Sequence, residues 1–135
     1  MAPVEVVRTS AHSFVARNNR GAEVPIGRVG QTGSFTPVEL LLAAAAGCVA
    51  VTAEELVLRR TGEEIRFQVD ATDVRPPGAH ELDGVRVDLD IDLGALDAQA
   101  RENVLAMVER AVTALCTVTR TLKRSTAVEM VPPAG

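Results

Sequence analysis

The spacing of apolar residues changes period several times along the chain. Near the N-terminus, apolar positions come in small groups: Val4, Val6 and Val7, then Phe14 and Val15, then Val24 and Ile26. The turn-rich Asn18-Asn19-Arg20-Gly21 separates the last two groups. This broken β pattern predicts a short hairpin or meander, and the glycine-rich stretch from Gly27 to Ser34 predicts a loop. Thr36-Pro37-Val38-Glu39 then combines a helix N-cap, proline at the first helical position and an acid at the third, so a capped helix starts here. It is predicted to run to about Arg60, with Thr61-Gly62 supplying a left-handed stop. Its first half is apolar on every side and predicts a central position. The second half carries Glu54, Glu55, Arg59 and Arg60 and is expected to emerge into water.

Period-2 alternation follows. Ile65, Phe67, Val69 and Ala71 alternate with Arg66, Gln68 and Asp70, and Val85, Val87, Leu89 and Ile91 alternate with Arg86, Asp88, Asp90 and Asp92. Each run predicts a strand with one wet and one covered face. A second helix is expected from the N-cap Asp97, with Val104, Leu105, Val108, Ala111, Val112 and Leu115 as its apolar stripe. Thr117 to Arg124 predicts a short further helix. Thr126 to Val131 predicts a last strand, stopped by Pro132-Pro133. Strands, long helix, strands, helix and strand make an α+β class. So apolar a half-helix is hard to bury in one copy of a short chain, which predicts a homodimer.

Composition narrows the picture. The 135 residues suit a single domain spanning 1–135, long enough to bury roughly two thirds of the surface the unfolded chain exposes. Hydrophobic residues make up 47% and charged residues 24%, a globular balance. With only three phenylalanines and no Trp or Tyr, the core must be built from Val, Leu, Ile and Ala. The net charge of -4 and the scarcity of aromatics argue against a nucleic-acid partner. The apolar run from Leu40 to Val51 is shorter than the ~20 residues a bilayer needs, so no membrane is expected. Nothing near the N-terminus has the pattern of an export signal, and a cytoplasmic location is expected.

Candidate chemistry concentrates in two cysteines. In a cytoplasmic chain they are thiols or catalytic partners rather than a permanent staple; the bland alternative is that each packs as a small hydrophobe. Gly47, directly before Cys48 inside a helix, costs about 1 kcal/mol relative to alanine. A close contact or access to the thiol would explain it. Cys116 falls at a predicted break between helices, where a helix start lowers a thiol pKa. His12 and His80 show no ligand spacing with the cysteines. The row Asp88, Asp90, Asp92 reads as a solvated face. No metal or organic cofactor is implied.

Two segments carry a family resemblance. Thr36-Pro37-Val38-Glu39-Leu40-Leu41-Leu42-Ala43-Ala44-Ala45-Ala46-Gly47-Cys48 resembles the first cysteine helix of the OsmC/Ohr proteins, and Leu115-Cys116-Thr117-Val118-Thr119-Arg120-Thr121-Leu122 resembles their second cysteine motif. The resemblance implies an intertwined homodimer with an OsmC-like fold, a β-meander with two central helices. It implies a peroxidase in which Cys48 attacks a hydroperoxide and Cys116 resolves the sulfenic acid as a disulfide. An external dithiol, in one branch a lipoylated protein, then restores the thiols. An arginine from the N-terminal β region is implied as the activating cation, with Arg17, Arg20 and Arg28 as candidates; Arg20 sits in a loosely similar Arg-Gly turn. The family acid falls one place before Glu39, where this chain has Val38. Glu39 lies about nine residues and roughly 13 Å from Cys48 along the helix, on the opposite face. It reaches a Cys48 only from another chain. A redox sensor that forms the same disulfide, and a binding module for a small hydrophobic ligand, are the rival readings.

Overall fold

The computed structural model describes residues 3–135, which fall into two compact units divided between Ala43 and Ala44. The first unit opens with an antiparallel meander of β1 (Glu5–Ser10), β2 (Ser13–Arg17) and β3 (Glu23–Ile26), in that order across the sheet. Val7 pairs with Val15, and Ala16 with Val24. His12 turns β1 into β2 at φ 62, a left-handed conformation costly for most side chains. The predicted Asn18–Gly21 turn closes β2 onto β3, with the Asn18 carboxamide oxygen accepting from the N–H groups of Arg20 and Ala22 at 3.0 Å each.

Helix α1 spans Pro37–Thr61 and passes from the first unit into the second. Its start is the predicted reciprocal cap. The Thr36 N–H donates to Glu39 Oε1 at 2.8 Å, and the Glu39 N–H donates to Thr36 Oγ1 at 3.1 Å. Its end is the predicted glycine stop: Gly62 has φ +94, and its N–H reaches the Leu58 carbonyl at 2.9 Å.

In the second unit, β4 (Phe67–Val74) and β5 (Gly84–Ile91) form a two-stranded antiparallel sheet. The pairing sets Val69 opposite Leu89 and Ala71 opposite Val87. Helix α2 (Ala98–Leu115) begins on Asp97, whose carboxylate accepts from the Ala100 N–H at 2.8 Å. Helix α3 (Thr117–Leu122) follows after the single residue Cys116. The core joins Ala53 and Val57 of α1 to Val104 and Val108 of α2, with Ile65, Phe67, Ile91 and Leu93 packed against them. The mixed α+β class is as the residue pattern predicted. The acidic row on β5 is a paired face, since Asp90 meets Arg66 at 2.9 Å across the sheet and Asp88 meets Arg86 at 3.0 Å.

Three expectations are corrected. No strand forms at 126–131; Val128, Met130 and Val131 lie exposed. A strand needs a ladder partner, and this chain's described residues offer that segment none. The first half of α1 is not central within the chain. Burial along α1 follows one stripe, Ala45, Val49, Ala53 and Val57, spaced four residues apart, while Val51 stays 81% exposed. Likewise Leu105 and Leu115 of α2 face outward. One stripe per helix is all that a helix contact can cover.

Val104 is fully buried in this small core. Val104→Ala is expected to cost about 2 kcal/mol, read as a lower urea midpoint at unchanged slope.

Candidate thiol site

Both cysteines belong to the second unit and both are free thiols. Cys48 lies on α1, half-buried. Thr52, one turn later on the same face, donates its hydroxyl to the Cys48 carbonyl oxygen at 2.8 Å. Cys116 is at once the C-cap of α2 and the N-cap of α3. Its extended backbone (φ -74, ψ 101) breaks the helical run, as the sequence predicted. The Cys116 N–H still closes onto Val112 at 3.1 Å, and the Cys116 carbonyl accepts from the Arg120 N–H at 2.9 Å. Both helices are therefore anchored on the residue that carries the sulfur.

The Cys116 side chain is fully buried. Burial alone pushes a thiol up in pKa, because it penalises the charged form. Here hydrogen bonding outweighs burial, and the Cys116 thiol lies below its ordinary 9.0. After burial, the largest influence is the Cys48 thiol, followed by the Thr119 hydroxyl, the Thr119 N–H and the Thr52 hydroxyl. Protonated, Cys116 Sγ donates to Thr119 Oγ1 at 3.1 Å. Once the proton leaves, the hydroxyl is free to turn and donate to the thiolate. The Thr119 N–H, in the first turn of α3, adds to this stabilisation of the thiolate.

The structure thus brings Cys48 and Cys116 together, with Thr52 and Thr119 around them. Sequence reading missed both threonines. Their signal was present: Thr52 follows Cys48 by four residues and Thr119 follows Cys116 by three, the spacings that share a helix face. Gly47 has nothing within 4 Å of where a Cβ would stand. Close packing therefore does not explain that glycine, and the helix surface beside Cys48 is left open.

Arg20 and Glu39 belong to the first unit. Arg20 is exposed, and its guanidinium makes no hydrogen bond or ion pair among the described residues. Arg17 is bound to Glu23 at 2.6 Å. Arg28 is exposed, with its backbone N–H on Gln31 Oε1 at 3.2 Å. The Glu39 carboxylate is engaged by the helix cap. His12 serves a tight turn, and His80 lies in the loop between β4 and β5.

An α+β fold with one thiol on a long helix and a second at a helix–helix junction defines a class of small thiol proteins. The chain belongs to the OsmC-like protein family, whose pattern matches residues 30–131. An uncharacterized protein of Mycobacterium tuberculosis is 32% identical over 130 residues, covering 96% of this chain and 95% of that one. Among solved structures, an OsmC-like protein from Mycoplasma pneumoniae superposes with a TM-score of 0.67 at 17% identity, over 91% of this chain and 87% of that one. The organic hydroperoxide resistance protein OhrB of Bacillus subtilis gives 0.54 at 20% identity, over 89% and 88%. These likenesses establish the fold.

Removing the hydroxyl nearest the sulfur tests the electrostatics. Thr119→Val is expected to raise the Cys116 pKa, measured by ultraviolet thiolate absorbance in a Cys48→Ser background. The stability consequence has a fixed sign. A thiol whose folded pKa is lowered contributes stability that is complete above its unfolded value and is lost as pH falls through the folded value. Urea unfolding of the reduced protein is therefore expected to show rising stability toward alkaline pH, and a flatter rise in Thr119→Val.

Proposed function

We propose that the protein is a cysteine-based hydroperoxide reductase. The observation that carries this reading is the pairing of two free thiols, one half-buried on α1 and the other fully buried with a lowered pKa. The greater exposure of Cys48 supports one order of events. A hydroperoxide reaches Cys48 first; its thiolate sulfur attacks the O–O bond and takes one oxygen, and the alkoxide leaves and is protonated. The Cys48 sulfenic acid then faces Cys116. The Cys116 thiolate attacks that sulfur, an S–S bond forms, and hydroxide leaves as water. A lowered pKa suits Cys116 to this second step, since the thiolate is the nucleophile. An external dithiol, such as a lipoylated protein, returns both sulfurs to thiols by exchange in the cytoplasm. By resemblance to the family, Arg20 is the proposed activating cation for Cys48, with Arg17 and Arg28 as the alternatives. The printed name of the Bacillus subtilis neighbour, an organic hydroperoxide resistance protein, supports organic hydroperoxides as substrates.

The working form is proposed to be a homodimer. Helix α1 has the length and apolar composition of a bilayer-crossing helix, yet only 28% of its most apolar window is buried within the chain. Within that helix Val51 stays 81% exposed, and so long an open apolar face is more than a soluble monomer comfortably leaves in water. A second copy covers it. Sedimentation at micromolar concentration is expected to give twice the chain mass, and a monomer throughout would refute the assembly.

Cys48→Ser is expected to abolish turnover of an organic hydroperoxide. Cys116→Ser is expected to allow one turnover and leave a sulfenic acid that a dimedone probe labels at Cys48. Full peroxidase activity in Cys48→Ser would rule the mechanism out. Clean disulfide formation without turnover would instead identify a redox sensor.

A further inference from the structure

Beside the thiols lies an open groove of about 620 Å³, formed entirely within the second unit, at the α2–α3 junction. Its walls include Thr113, Thr117, Thr119, Arg120, Lys123 and Arg124. The charge here runs against the rest of the molecule. The chain carries a net charge of -4, yet residues 113–128 hold three cations and no acid. None of the three cations forms an ion pair with a carboxylate among the described residues. Arg120 is already held in place, because its Nη1 donates to the Thr113 carbonyl at 2.9 Å. That leaves its other N–H donors unspent, since a guanidinium has five. Threonine hydroxyls, which can donate, stand next to guanidinium and ammonium groups without carboxylate partners, and Ala114 and Leu115 complete the wall; such a cationic lining suits oxyanions.

We propose that this groove binds the oxyanion, carboxylate or phosphate, of a small molecule. Thr119 belongs both to the groove wall and to the hydrogen bonds around Cys116. Neither cysteine lines the groove, so an anion seated on Lys123 and Arg124 communicates with the thiols through the shared Thr119. The anion site stands on its own geometry. Its service to the thiols rests on the hydroperoxide-reductase reading, as the place where an anionic substrate or reductant is held.

Titration calorimetry of the reduced full chain tests this at constant ionic strength. The probes are inorganic phosphate, octanoate and, as a neutral control, octanol. Saturable binding of phosphate or octanoate is expected. The charge-removing pair Lys123→Gln/Arg124→Gln is expected to weaken it at least about tenfold, and the charge-keeping pair Lys123→Arg/Arg124→Lys to retain it within about threefold. Phosphate binding alone assigns a phosphate ligand. Tighter octanoate binding assigns a carboxylate with an apolar tail. Absence of saturable binding by both anions, equal binding of octanol, or binding unchanged in the charge-removing pair would overturn the proposal. Peroxide turnover is measured separately on the same variants. A protein that binds anions but destroys no peroxide would refute the reductase reading and leave the anion site standing.

Discussion

The arrangement around Cys116 depends on satisfying one buried sulfur. Taking an ionisable thiol out of water raises the cost of charging it. The second unit offsets this with hydrogen-bond donors drawn from two directions. Cys48 and Thr52 come from α1, and Thr119 comes from the first turn of α3. The same residue terminates α2 and starts α3. A substitution that moved the helix break by one residue would therefore also move the sulfur away from its partners. Chain geometry and thiol chemistry are set by the same backbone kink.

The two sulfurs do not occupy equivalent places. Cys48 is half-buried on a continuous helix, beside a glycine with empty space where a side chain would stand. Cys116 is sealed and hydrogen-bonded. This difference in exposure is what the proposed division of roles between the two thiols rests on. The helix that presents Cys48 also leaves most of its apolar surface open. One stripe of α1, Ala45, Val49, Ala53 and Val57, is spent on the chain's own core.

Much of this was legible in local patterns. The cap at Thr36 and Glu39, the stop at Gly62, the N-cap Asp97 and the break at Cys116 all rest on contacts between residues close in sequence. Such features need no knowledge of the fold, which is why they could be read. The strand expected at 126–131 failed for the complementary reason: a strand is a pairing, and alternation in one segment says nothing about whether a partner edge is available. Burial of α1 was misjudged similarly, because apolar composition states what a helix prefers to cover and not what the chain has available to cover it. At the site, the cysteines stood out by rarity and motif. Thr52 and Thr119 did not, since threonine on a helix face is common and has no distinguishing pattern.

The sequence by itself determined where the helices begin and end, the α+β class, the helix break at Cys116 and the family to which the cysteine motifs belong. These follow from short-range sterics, capping hydrogen bonds and periodicity, all of which act within a few residues. Only the tertiary structure decided that Cys48 and Cys116 meet, that Cys116 is the sealed partner, and that hydrogen bonds from Cys48, Thr119 and Thr52 outweigh its burial. It also decided that three cations near the C-terminal end share one groove with Thr119. Those outcomes depend on distances between residues far apart in the chain and on exclusion of water, and neither exists until the helices have packed.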